Sequence, residues 1–127
     1  MKAPPKISDA EWEVMKFVWR SAPCTAQSVI DALAPAQEWS PATIKTLLNR
    51  LVCKRALRFE KDGRAYIYSP AVSETECCKT EAASFLDRVF DGALSPFLAH
   101  FAQSGKALRA EDLVELEKIL KESRKRS

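Results

Sequence analysis

The 127-residue sequence predicts a mainly α-helical chain with one small β-hairpin, and three observations carry that prediction. Residues that cap helix starts stand ahead of several stretches whose apolar side chains recur three and four positions apart. One Asp62-Gly63 pair separates two segments holding Phe59 and Tyr66-Ile67-Tyr68, a strong short-range hairpin signal. The character of the chain changes after Pro70. Residues 1–70 hold 11 Lys/Arg against 7 Asp/Glu, and residues 71–127 hold 9 against 10, so the basic excess belongs to the first part.

Ser8-Asp9-Ala10-Glu11 is a capping box, in which hydroxyl and carboxylate satisfy N–H groups that a helix start leaves unpaired. The helix it opens carries Trp12, Met15, Val18 and Trp19 as a core-facing stripe and is expected to end near Arg20, before Pro23. A second helix is expected from about Thr25 to Ala34, burying Val29, Ile30 and Leu33, with Pro35 closing it. Ser40 then caps a third helix, Pro41 occupies the first helical position where its missing N–H costs nothing, and Trp39 can staple onto Ile44. At about 100° per residue, Ile44, Leu47, Leu48, Leu51 and Val52 fall on one side. Ala42, Thr46, Asn49, Arg50 and Cys53 fall opposite, flanked by Thr43 and Lys45. The hairpin follows directly, with strands over residues 57–61 and 64–68 and Pro70 ending the run. Trp12, Trp19 and Trp39 read as core and staple residues.

Beyond Pro70, Ser73-Glu74-Thr75-Glu76 is another capping box. Its helix has Cys77, Ala82, Phe85, Leu86, Val89 and Phe90 as apolar positions and stops at Asp91-Gly92. A short helix from about Ser95 to Gln103 carries Pro96 in its first turn and Phe97, Leu98 and Phe101 on one side. A last helix, from about Ala110 to Lys121, presents Leu113, Leu116, Ile119 and Leu120, and the charged tail after it is expected to fray. Three amphipathic helices of this size do not easily close a core of their own. They need a partner, and an identical subunit is the simplest one. The expected division is therefore residues 1–71 and 72–127, the second part dimerising through Phe85, Leu86, Val89, Phe90, Leu113, Leu116, Ile119 and Leu120.

Helix, helix, helix and hairpin within some seventy residues is the order of a winged helix-turn-helix domain. From Ser40 to Arg64 the cations Lys45, Arg50, Lys54, Arg55, Arg58, Lys61 and Arg64 face only Glu60 and Asp62. The third helix therefore reads as a DNA-recognition helix and the hairpin as its wing. Thr43, Lys45, Thr46 and Asn49, beside Ala42, are expected at base edges, and Arg50, Lys54, Lys61 and Arg64 near phosphates. The other classes fare poorly. No apolar run approaches the ~18 residues of a membrane span, and the first six residues lack the apolar core of a signal peptide, so a cytoplasmic protein is expected. Cys24, Cys53, Cys77 and Cys78 show no C-x-x-C spacing and, with His100 as the one histidine, make a poor zinc set; no metal or other cofactor is expected. No nucleophile elbow, metal-ligand helix or glycine-rich phosphate loop is present, so no catalytic residue is assigned. Two alternatives remain: a direct thiol- or metal-responsive regulator acting through Cys53 or Cys77 and Cys78, and a winged helix used only to bind protein.

The runs Ile7-Ser8-Asp9-Ala10-Glu11-Trp12-Glu13-Val14-Met15, Trp39 to Leu51, and Gly63-Arg64-Ala65-Tyr66-Ile67-Tyr68 closely resemble the penicillinase-repressor family of BlaI/MecI-like regulators. The likeness continues through Ser84 to Gly92 and Glu111 to Leu116, covering nearly the whole chain. The resemblance implies a bacterial homodimeric repressor whose N-terminal winged helix reads half of a palindromic operator, with a C-terminal helical dimerisation domain. In relatives controlling β-lactam resistance, a membrane-bound metalloprotease sensor leads to cleavage of the repressor. The matching bond here is His100-Phe101, in the short helix between Pro96 and Gly105. The chain departs from the family pattern at Ala42, where a long polar residue is common, and at Lys45, where glutamine is frequent. Arg55 replaces the usual glycine after the recognition helix, at a cost of roughly 1 kcal/mol if a left-handed turn is kept there. The paired C-x-C motifs of copper-responsive relatives are absent, which disfavours copper sensing.

Overall fold

The structure, a computed structural model, describes residues 4–103 and 109–126. The chain runs α1 (Asp9–Ser21), β1 (Cys24–Thr25), α2 (Ala26–Gln37), α3 (Pro41–Cys53), β2 (Leu57–Asp62), β3 (Ala65–Pro70), α4 (Glu74–Phe90), α5 (Leu94–Gln103) and α6 (Ala110–Arg126). The capping box at α1 is complete: the Glu11 N–H donates to the Ser8 hydroxyl at 3.2 Å, and the Ser8 N–H donates to the Glu11 carboxylate at 2.8 Å. Val14, Met15 and Val18 of α1 are buried. Trp12 and Trp19 pack on each other at 5.6 Å, and the Trp19 indole N–H donates to the Val72 carbonyl at 3.0 Å, so both rings serve packing.

Pro35 does not close α2 as expected. The helix continues to Gln37 and ends where Glu38 turns left-handed at φ 58°. So near the C-terminus, proline removes few helical bonds, and packing of Leu33, Ala34 and Trp39 against the core outweighs that loss. Ser40 caps α3 by accepting the Thr43 N–H at 3.1 Å, and Ile44, Leu47, Leu48 and Leu51 are buried beneath it. At the other end, Arg55 donates to the Val52 carbonyl at 3.0 Å and Ala56 to the Leu51 carbonyl at 2.9 Å. These two bonds make a Schellman cap, with Arg55 at φ 66° in the place where glycine is preferred.

The sheet has the order β1-β3-β2, all antiparallel. β1, which pairs Cys24 with Tyr68 and Thr25 with Ile67, is too short to have any sequence periodicity and was not expected. Asp62 pairs with Ala65, so the loop consists of Gly63 and Arg64, one residue later than the Asp62-Gly63 centre read from sequence. Gly63 takes φ +63°, the left-handed conformation that the first loop position of a II′ hairpin requires. The core of this part gathers Ile7, Val14, Met15, Val18, Val29, Ile44, Leu48, Leu51, Leu57, Tyr68 and Cys77. Cys77 of α4 belongs to that core, and the two compact units divide between Ala82 and Ala83, inside α4.

In the second unit α4 ends at Asp91 and Gly92, both left-handed at φ 52° and 81°. Phe85, Phe90 and Phe97 form a mutual cluster with centroids 5.6 to 6.0 Å apart. Among the described residues none beyond Cys77 is buried. α6 runs to Arg126, past the expected end at Lys121, so most of the tail is helical. Gly105, which frames the short helix in the sequence, lies outside the described residues. Among the described residues no helix is long and apolar enough to cross a membrane.

Candidate nucleic-acid interface

The cap at Ser40 and the buried stripe beneath α3 leave Ala42, Thr43, Lys45, Thr46, Asn49, Arg50 and Cys53 exposed. The Thr46 hydroxyl donates to the Ala42 carbonyl at 3.0 Å, so it offers a ligand its lone pairs and methyl group, not its proton. The Thr43 hydroxyl lies 3.0 Å from that of Ser40. Asn49 and Lys45 carry the side-chain chemistry that reads purines in a major groove: an amide for adenine and a cation for guanine.

Lys45 and Asn49 line one cleft of about 470 Å³ together with Arg64, Ala65, Tyr66 and Tyr68 of the hairpin and Thr25, Ala26, Gln27 and Ile30 of α2. None of these residues is acidic. Lys45, Arg50, Lys61 and Arg64 enter no ion pair among the described residues. Lys61 stands apart from the cleft: with Arg58, Glu60 and Asp62 it lines a second hollow beside Pro23. Tyr66 and Tyr68 were not singled out from sequence, although two-residue alternation along β3 puts them on one face.

Lys54, expected near phosphates, has partners within the protein. Its ammonium lies 2.5 Å from the Glu11 carboxylate and donates to the Lys6 carbonyl at 2.9 Å, tying the C-terminal cap of α3 to the start of α1. Glu11 is 1% exposed, and a carboxylate that far from water needs a cation. Burial pushes the Glu11 carboxyl up, but the Lys54 ammonium and the Ser8 N–H and hydroxyl outweigh it and hold it below the ordinary value.

Cys24 and Cys77 are buried, while Cys53 and Cys78 are exposed. Burial pushes the Cys24 thiol up; burial, with Cys78 and Glu76 nearby, does the same for Cys77, which makes both poor thiolates. Among the described residues no three His, Cys, Asp or Glu side chains are placed to hold a metal ion. In the second unit Phe85, Val89, Leu113, Leu116, Ile119 and Leu120 are exposed, and Leu86 and Phe90 are half-buried. His100 is exposed with its ring 5.8 Å from Phe90, and half-buried Phe101 lies 6.2 Å from Phe97.

Residues 7–122 match the family model described as penicillinase repressor. The chain belongs to the penicillinase-repressor family. Family members are transcriptional repressors and not enzymes, and this chain is a repressor with a winged-helix DNA-binding domain. It is 39% identical to the penicillinase repressor of Bacillus licheniformis over 126 residues, covering 99% of this chain and 98% of that one. It is 30% identical to the methicillin resistance regulatory protein MecI of Staphylococcus aureus strain N315, covering 91% and 93%. Among solved structures, the DNA-binding domain of the repressor BlaI superposes with a TM-score of 0.54 at 45% identity, covering 60% of this chain and 93% of that one. Monomeric Bacillus licheniformis BlaI in complex with the blaP half-operator gives 0.53 at the same identity and coverage.

Proposed function

We propose that this repressor is a homodimer that occludes a promoter by reading a palindromic operator in duplex DNA, one half-site per winged helix. The observation that carries the reading is the acid-free cleft in which α3 and the hairpin gather Lys45, Asn49 and Arg64. The BlaI half-operator complex, at 45% identity, supports operator DNA as the partner. Thr43, Lys45, Thr46 and Asn49 are assigned to base edges, with Ala42 contributing only a methyl group; Arg50, Lys61 and Arg64 are assigned to phosphates. Dimerisation is supported by the second unit's exposed apolar side chains, among them Val89 at 56% and Ile119 at 52% exposure. The operator half-sites then lie one helical turn apart, about 34 Å, or a multiple of it.

The names of the relatives support a role in a β-lactamase-type or related resistance system. In that setting, release follows cutting at or beside His100-Phe101, with a membrane sensor protease acting indirectly. The bond sits in the ten-residue α5, and a helix of so few turns opens more easily than a long one. Cutting there detaches α6 with Leu113, Leu116, Ile119 and Leu120, and the unlinked winged helices forfeit an effective-concentration advantage on the order of 10²- to 10⁴-fold. The decisive test is a mobility-shift titration on duplex fragments recovered from cells: equal operator affinity of the wild type and a Thr46→Ala/Arg50→Ala variant sinks the interface. Sedimentation showing a folded monomer at micromolar concentration sinks the dimer. Intact repressor in induced cells with its target derepressed sinks the cleavage route.

A further inference from the structure

The outer half of the hairpin holds aromatic side chains that the core does not use. Pairing of β2 with β3 sets Leu57, Phe59 and Lys61 opposite Pro70, Tyr68 and Tyr66, so these residues share one face. Leu57 and Tyr68 at its inner end are buried, whereas Phe59 and Tyr66 are 45% and 46% exposed. The Phe59 and Tyr66 rings meet edge to face at 4.9 Å, which restricts the Tyr66 ring. Among the described residues the Tyr66 hydroxyl has no hydrogen-bond partner. Tyr66 also lines the cleft that holds Lys45 and Arg64 and no acid. A neutral hydroxyl donor in such surroundings suits an anionic oxygen, to which it makes a charge-assisted bond without adding charge of its own.

We propose that Tyr66 is a DNA-contacting residue whose hydroxyl donates to a phosphate oxygen of the strand lying in the cleft between α3 and the hairpin, in company with Arg64. The assignment rests on the operator reading and adds a contact that fixes the position of the strand without reading its sequence. It is tested with the full-length protein by fluorescence anisotropy, on the operator duplex recovered from cells and on a mixed-sequence duplex, over a range of salt concentrations. Tyr66→Phe keeps the ring and its Phe59 contact and removes only the hydroxyl. The expected result is binding weakened about tenfold per subunit on both duplexes. The salt slope stays at its wild-type value, because a neutral donor releases no counterion. Arg64→Ala, in contrast, lowers the slope by about one per subunit. Wild-type affinity of Tyr66→Phe for both duplexes refutes the contact, and a loss confined to the operator refutes the phosphate in favour of a base edge. A wild type that binds neither duplex refutes the operator reading itself, and the contact with it.

Discussion

Removing the Lys54 ammonium while keeping its stem, as Lys54→Met does, strands the Glu11 carboxylate at 1% exposure with only the Ser8 groups left to it. Breaking a fully buried ion pair from one side costs about 3–5 kcal/mol. The Lys54 side chain is 36% exposed, so water reaches the pair from one side and the expected loss is nearer 2 kcal/mol. For a unit of this size that corresponds to a fall in Tm of roughly 8–16 °C. Trp12, Trp19 and Trp39 all lie in the first unit, so tryptophan fluorescence during thermal or urea unfolding reports on it alone. Because the folded Glu11 carboxyl is held below its ordinary value, the stabilisation is fully present above about pH 4.3 and is lost as pH falls through the lowered folded value. Glu11→Gln therefore flattens the acid limb of the stability profile. Replacing both partners by apolar residues, as in Glu11→Leu/Lys54→Met, recovers most of the loss. A Lys54→Met protein within about 0.5 kcal/mol of wild type refutes the reasoning. So does a drop in its DNA salt slope, which would return Lys54 to the phosphates.

Arg55→Gly is expected to stabilise the first unit by about 1 kcal/mol, because glycine takes the φ of 66° at the Schellman position without a Cβ penalty; urea unfolding checks it, and a loss of stability contradicts it. Arg50→Ala should weaken binding to all duplexes and flatten the salt slope by about one per subunit, whereas Thr46→Ala should change base preference; a selection from random duplexes separates the two. Leu116→Glu is expected to raise the dimer dissociation constant at least tenfold, read by sedimentation at several concentrations, since a carboxylate in an apolar interface costs well over 1.4 kcal/mol. DNA binding should survive replacement of all four cysteines by Ala or Ser. If binding in the wild type switches with peroxide or metal and the cysteine-free variant does not switch, the thiols act as a sensor after all.

Much of this protein was written in short-range patterns. Ser8 with Glu11, Ser40 with Pro41, and Gly63 each act within about four residues, through N–H groups that any helix start exposes or a φ that any two-residue hairpin demands. For that reason the sequence alone determined the order of helices and hairpin, the exposed face of α3 and the apolar faces of α4 to α6. What the tertiary structure decided depends on partners distant in sequence. Lys54 meets Glu11 across 43 positions, and no local pattern marks a cation as claimed by a buried acid. β1 exists because Cys24 and Thr25 find β3, not because two residues form a strand by themselves. Pro35 remains helical because the surrounding core outweighs local propensity, and Cys77 carries the start of α4 into the first unit by burial. The cleft joining Lys45 and Asn49 to Arg64 and Tyr66 arose in the same way, since only packing of α3 against the sheet brings a helix face and a hairpin edge together.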